Sequence, residues 1–156
     1  MKKPGLVLVL ALTACGGDPA PVAEGPTSQN AESFMWAYTE AWNAHDTEAL
    51  GHDFWQMTGS VEEETARLEA IFAQLEADGY DQSFIHGISA CMANTMTTAL
   101  AGVQFTRYLT SGEVMGPDLR GSRYRLDWED DKGWRITEMF PVEAEDALGC
   151  DLSILD

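Results

Sequence analysis

The chain has 156 residues, of which 26 are Asp or Glu and nine are Lys or Arg, so its formal net charge is −17. The length suits one domain of roughly 100–150 residues, and 45% hydrophobic with 10% aromatic residues is the composition of a folded chain. The charge argues against a nucleic-acid partner, because phosphate binding needs a basic face.

The first residues have the layout of a signal peptide. Two lysines follow the first methionine, and an apolar run over residues 6–12 comes next. Spanning a bilayer takes about 20 apolar residues, so a removable segment over residues 1–14 is the better interpretation. The string LTAC, which ends at Cys15, resembles the bacterial lipobox. The resemblance implies that Cys15 is lipidated after cleavage; the alternative is an ordinary secretory signal cut after Ala14.

A lipidated Cys15 would anchor the protein firmly, because several acyl chains on one residue bind a membrane far better than one chain does. We therefore expect an exported protein, lipid-anchored to the bacterial cell envelope, with the membrane as its partner. In a bacterium with an outer membrane, Gly16 at the next position allows transfer to that membrane, where the domain would face the periplasm. A strongly acidic domain at such a surface favours a neutral or cationic ligand.

The rest of the chain divides into three parts. Residues 15–30 comprise the lipidated cysteine and a flexible tether that is rich in Pro and Gly. One domain is predicted over residues 31–142. An acidic tail follows over residues 143–156, and we expect it to be solvated, with at most a short helix over residues 144–148.

Helical periodicity dominates the first half of the domain. Ser28 or Asn30 can cap a first helix that runs to about Ala44. Asp46 can cap a short second helix.

The region after these helices contains a strand candidate over residues 54–58 and then a third helix. Ser60 can cap this helix, three glutamates follow in its first turn, and Gly79 can end it. From there the hydrophobic pattern changes to a period of two. Strands are predicted over residues 84–91 and 97–110.

Two further strands are predicted over residues 123–129 and 134–140, joined by the hairpin loop DDKG. The layout is three helices followed by a four-stranded antiparallel meander. This is an α+β domain with helices on one face of a sheet.

The order of these elements resembles the nuclear transport factor 2-like superfamily, which includes SnoaL-like and ketosteroid isomerase-like domains. The string YTEAWNAHD over residues 38–46 is similar to the end of its first helix, and DKGWRI over residues 131–136 is similar to its last hairpin. The resemblance implies a cone-shaped curved sheet around three N-terminal helices. Its members include ketosteroid isomerases, limonene epoxide hydrolases, polyketide cyclases and non-enzymatic binding domains, so the fold alone does not assign a function.

Three residues are candidate catalytic groups. The resemblance implies an oxyanion-binding role for Tyr38, as in ketosteroid isomerases; the alternative is a tyrosine that packs at the core edge. Those enzymes also need a carboxylate as general base, and this sequence has no acid at the matching stretch. Asp53 lies a few residues before that stretch. His86 is a candidate base if the strand face that it shares with Phe84 and Ile88 lines the cone; the alternative is a core histidine.

The candidate ligand-binding residues are Tyr38, Trp42, Trp55 and His86, which would contact a small apolar ligand. The chain's tryptophans and methionines can line such a cavity, or they can fill it. The histidines lack the spacing and the cysteine partners of a zinc site. We therefore expect no metal and no cofactor.

Two cysteines remain beyond the lipobox. An exported compartment permits a Cys91–Cys150 disulfide, which would pin the tail to the sheet. The expectation, however, is two free thiols with Cys91 buried.

Two functions fit these features. The first is a non-catalytic lipoprotein domain that binds a small molecule or forms a homodimer through its sheet. The second is a small lyase, isomerase or hydrolase of the polyketide-cyclase or ketosteroid-isomerase type, acting on an apolar substrate in the cone. The incomplete acid–base set favours the first.

Overall fold

A computed structural model describes residues 25–56 and 59–155. The predicted signal segment and Cys15 lie outside these ranges, as do the last residue and two residues of the strand candidate. Within the described ranges, no helix is both long and apolar enough to cross a membrane.

Three helices precede the sheet, in the predicted order. Helix α1 is Ser28–Asn43, α2 is Thr47–Ala49, a π-helical turn follows at Leu50–Phe54, and α3 is Val61–Ala77.

Side-chain caps begin all three helices. The caps of α2 and α3 are confirmed: Asp46 accepts from the backbone of Ala49, and Ser60 forms a capping box. The cap of α1 is neither of the two residues expected. Thr27 and Asn30 form a reciprocal capping box there, with N···O distances of 2.9 and 3.1 Å. The first helix therefore begins at Ser28, inside the segment predicted as tether.

The strand candidate over residues 54–58 is corrected in its described part. Phe54 ends the π-helical turn, and Trp55 makes only an isolated parallel bridge to Ile136. The turn buries Leu50 and Phe54 in the core. A short apolar run has no period of its own, so burial rather than alternation decided its conformation.

The sheet is the predicted four-stranded antiparallel meander, in the order β1-β2-β3-β4. Its strands are β1 at Tyr80–Met92, β2 at Thr98–Leu109, β3 at Arg120–Glu129 and β4 at Gly133–Val142.

The inner face of the sheet packs against the helices and forms the core. From the strands the core takes Ala101, Leu126 and Ile136, and from the helices it takes Met35 and Leu68, all of them almost fully buried. Three helices thus lie on one face of a curved antiparallel sheet, and the predicted architecture is confirmed.

The tail does not follow the expectation of a solvated segment. It turns back across the outer face of the sheet as two short 3₁₀ turns, Ala144–Asp146 and Leu152–Leu155, and it buries Ala147 completely. A disulfide joins Cys91 of β1 to Cys150 of the tail, with Cα atoms 5.9 Å apart. The expectation of two free thiols is therefore wrong, because the register of β1 and the course of the tail bring both residues to one place.

Candidate functional site

A small cavity lies between α1 and the inner face of the sheet. Its volume is about 30 Å³, which is room for one or two water molecules. Ligand pockets for drug-sized molecules are typically about 300–1,000 Å³. The cone is thus nearly filled by its own side chains. The residues that line it include Trp42, Asn43, Ser83, Ile85, Phe105 and Tyr124.

The polar groups at this cavity bind one another. Asn43 exchanges two hydrogen bonds with the backbone of Ser83, at 2.8 and 2.9 Å. The Trp42 indole donates to the Tyr80 hydroxyl at 3.1 Å, and that hydroxyl lies 2.9 Å from the Ser83 Oγ. This network joins α1 to β1, and it satisfies buried groups that would otherwise destabilise the fold.

Tyr38 is buried in the core and does not line the cavity. Its ring contacts the edge of Tyr124, with centroids 5.6 Å apart, and it also packs against Trp42 and Phe54. Burial raises the pKa of Tyr38 well above its ordinary value, and the neighbouring Tyr124 raises it further. The hydroxyl therefore stays protonated and faces protein.

Asp53 lies on the surface of the π-helical turn. It accepts a hydrogen bond from its neighbour His52 at 2.6 Å, and both side chains are more than half exposed. The pair is far more solvated than the cavity, and neither residue lines it. Asp53 thus does not supply the general base that the sequence lacks over residues 54–59.

His86 lies on the outer face of the sheet, because β1 has a bulge between Ile85 and Gly87. The bulge shifts the alternation by one residue, so Ile85 and Ile88 point inward while His86 shares the outer face with Phe84. Its Nε2 donates to Thr106 at 2.8 Å, since the Thr106 hydroxyl itself donates to a backbone carbonyl. The premise that the face of His86 lines the cone is therefore wrong.

Of the predicted ligand-binding residues, only Trp42 reaches the cavity. Trp55 is half-buried beside α3, where the Arg67 guanidinium stacks over its ring at 5.6 Å. The structure thus disperses Tyr38, Asp53, Trp55 and His86 rather than bringing them together.

Two arginines that the sequence did not mark as site residues lie beside the cavity. Arg107 follows Val103 and Phe105 on the inner face of β2, and its cross-strand partner is Ser83 of the cavity wall. Arg120 pairs with Phe105 in the β2–β3 register, which places it on the same face. The alternation of β2 is the signal that would have found Arg107, because it puts every second residue from Val103 onward inside.

Comparisons with known proteins bear on the fold. Neither family models nor curated proteins match the sequence, whereas solved structures match most of it. An NTF2-like protein with a cystatin-like fold from Novosphingobium aromaticivorans has a TM-score of 0.54 at 16% identity, covering 82% of this chain and 88% of its own. The protein Aln2 from a Streptomyces species has a TM-score of 0.54 at 15% identity, covering 79% of this chain and 96% of its own. The domain has the nuclear transport factor 2-like fold.

A further nuclear transport factor 2-like neighbour, from Shewanella oneidensis, has a TM-score of 0.50 at 17% identity, covering 72% of this chain and 96% of its own. Identities this low establish the fold and nothing about chemistry. The three-helix cone that the sequence predicted is thus confirmed, while the function of the domain depends on what its own side chains can do.

Proposed function

We propose that this protein is a cell-envelope lipoprotein whose nuclear transport factor 2-like domain binds a small molecule and does not catalyse a reaction. The absence of catalysis is proposed because the candidate acid–base groups lie in different parts of the structure. Tyr38 lies in the core, Asp53 on a solvated turn and His86 on the outer sheet face. General acid–base catalysis needs its groups within hydrogen-bond reach of one substrate.

The proposal of a lipid anchor rests on the sequence. A short positive region, a short apolar run and LTAC at residues 12–15 are the features of a lipoprotein signal. Residues 16–27 would separate the lipidated Cys15 from α1, enough chain to carry an acidic domain clear of a membrane surface of the same sign.

Fractionation of cells that make the full chain tests the anchor. We expect the protein in the membrane fraction and labelled by fed palmitate, with Cys15→Ala losing the label. Cys150→Ala is the matched control, because it removes a cysteine outside the lipobox and should keep the label. A Cys15→Ala chain that is still labelled would contradict the proposal.

Native mass spectrometry tests binding against catalysis. We expect the purified protein to carry a copurifying small molecule, and Tyr38→Phe to carry it equally, because the Tyr38 hydroxyl faces protein. The alternative, a lyase, isomerase or hydrolase of the polyketide-cyclase or ketosteroid-isomerase type, has the fold in its favour. It would gain if wild type converted that molecule and Tyr38→Phe did not.

A further inference from the structure

Arg107 is a cation for which the part of the chain that the structure describes supplies neither a hydrogen-bond acceptor at Nε nor a carboxylate. Its guanidinium carbon lies over two aromatic rings, 5.6 Å from the Tyr80 centroid and 5.7 Å from that of Phe105. Across residues 25–56 and 59–155, no carboxylate lies within 4.0 Å of it, and its Nε is buried with no hydrogen-bond acceptor. Stacking thus fixes the group in place without satisfying its charge.

Arg120 adds a second guanidinium on the same face. It donates to the carbonyl of Met115 at 3.2 Å and also to that of Gly116. Its Nε is buried, and no described residue accepts from it. Burial lowers the pKa of Arg120, and the positive charge of Arg107 lowers it further.

This arrangement is costly unless something else binds there. A buried donor without an acceptor costs about 1–3 kcal/mol, and like charges on neighbouring strands destabilise a sheet. The chain has 26 acidic residues, yet none pairs with either arginine in the part of the chain that the structure describes. Three other described cations, Arg67, Arg125 and Lys132, pair with carboxylates, and Arg123 and Arg135 donate to backbone carbonyls.

A guanidinium stacked on aromatic rings is preorganised to bind an anion, because its planar fork matches the oxygens of a carboxylate or phosphate. Part of the neighbouring cavity wall is apolar: Ile85, Val103 and Phe105 line it, and Ile85 and Phe105 are cross-strand partners. We propose that Arg107 and Arg120 bind the anionic head group, carboxylate or phosphate, of a small molecule whose short apolar part lies against Phe105. This inference rests on the proposed binding function and gives its ligand class.

The net charge of the chain predicts the opposite ligand, neutral or cationic. That prediction concerns the field far from the protein, which salt screens within about 8–10 Å. At the site itself are the two guanidiniums, and no carboxylate of a described residue lies within 4.0 Å of either one. Local charge therefore selects the ligand, while the acidic surface slows its approach.

NMR titration of the chain from residue 16 onward, which contains every described helix and strand, tests the site. The probes are hexanoate and hexyl phosphate, with hexan-1-ol and hexylamine as matched controls that keep the apolar part and change the head. We expect the two anions to shift the Nε–H resonances of Arg107 and Arg120 saturably, and the controls to bind at least about tenfold more weakly. The stronger of the two anions identifies the head group.

Variants assign the binding to these residues. Arg107→Gln and Arg120→Gln should each weaken the anion at least about tenfold, and Arg107→Lys should fall between, since it keeps the charge and loses the fork. Arg135→Gln is the control, because Arg135 lies on β4 and, among the described residues, donates only to backbone carbonyls. Thermal unfolding of each variant verifies folding, and Arg107→Lys provides the comparison if a Gln variant does not fold.

Two results would overturn the inference. One is hexan-1-ol binding as tightly as hexanoate, and the other is anion affinity within twofold of wild type in Arg107→Gln. Either leaves the proposed binding function standing, since a copurified neutral molecule would still support it. Conversely, a purified protein that carries no small molecule but binds hexanoate as expected would contradict the proposed function and leave the anion site standing.

Discussion

The packing of the tail on the sheet depends on glycines in three strands, and Gly102→Ala tests that dependence most sharply. A Cβ built on Gly102 would lie 1.8 Å from the backbone carbonyl oxygen of Ala147, whereas real contacts of this kind do not fall below 3.0 Å. The carbonyl would have to retreat by about 1.2 Å. It cannot leave freely, because Cys150 is bonded to β1 three residues later.

The expected loss of stability in Gly102→Ala follows from the hydrogen bonds that attach the tail to the sheet. Gln104 donates to the Ala144 carbonyl at 2.9 Å, Ser89 to that of Leu148 at 3.0 Å and Arg123 to that of Asp146 at 2.5 Å. Losing one or two of these costs about 1–3 kcal/mol, and overpacking a tight contact costs about as much. We expect Gly102→Ala to lower the free energy of unfolding by roughly 3 kcal/mol.

Two related glycine variants should lose less stability than Gly102→Ala. The Cβ of Gly121→Ala would lie 2.8 Å from the Glu143 carbonyl oxygen, so an intermediate loss is expected. The Cβ of Gly87→Ala would meet only a Leu148 methyl, at 3.1 Å. A side-chain end can rotate away, so this variant should stay within about 0.5 kcal/mol of wild type.

Urea unfolding of the oxidised chain measures the series, and amide hydrogen exchange over residues 143–150 reports where the loss occurs. We expect faster exchange in the tail of Gly102→Ala and an unchanged rate in Gly87→Ala. Equal urea midpoints for Gly102→Ala and Gly87→Ala would refute the reasoning, because the two differ in whether a backbone atom or a methyl must move.

Two other perturbations address the forces that stabilise the domain. Cys150→Ser opens a disulfide that spans 59 residues, and chain entropy predicts a loss of roughly 4 kcal/mol; urea unfolding with and without reductant checks this, and an unchanged midpoint would contradict it. Asp127 is partly desolvated, but hydrogen bonds from Thr98, Thr137 and Arg125 outweigh that and lower its pKa. Because the pKa is lower when folded, its stabilisation is present above about pH 4 and lost as the pH falls through the folded value. Asp127→Asn should therefore be less stable than wild type at pH 7, by about 1 kcal/mol, and the gap should close below pH 4. A gap independent of pH in urea titrations would exclude this account.

Much of the fold could be predicted from local sequence signals. Ser60 and Asp46 begin helices because a side-chain oxygen at that place satisfies a free backbone N–H, a preference that needs no tertiary contact. The four strands follow from alternation, and Gly79 ends α3 at a φ of +86°, where a side chain would be strained. The first cap was harder, since Thr27 and Asn30 offer competing side chains within one turn.

The candidate site was harder to predict from the sequence, and His86 shows why. A period of two predicts which face a residue occupies only while the register is unbroken. The bulge between Ile85 and Gly87 adds one residue to β1, so that His86 and Ile88 fall on opposite faces. Gly87 is the one signal in that stretch, because an isolated glycine inside a strand often marks a bulge. Which residue is added to the strand still depends on how β1 fits β2.

The sequence by itself determined the class of fold, because caps, turns and hydrophobic periods act between residues close in the chain. The proposed lipid anchor also rests on the sequence alone, on a short string at the N-terminus. Only the tertiary structure decided that Cys91 meets Cys150, that the tail covers the sheet, and that Arg107 and Arg120 share one face. Each of these depends on register and chain path over tens of residues, and no local pattern encodes such distances.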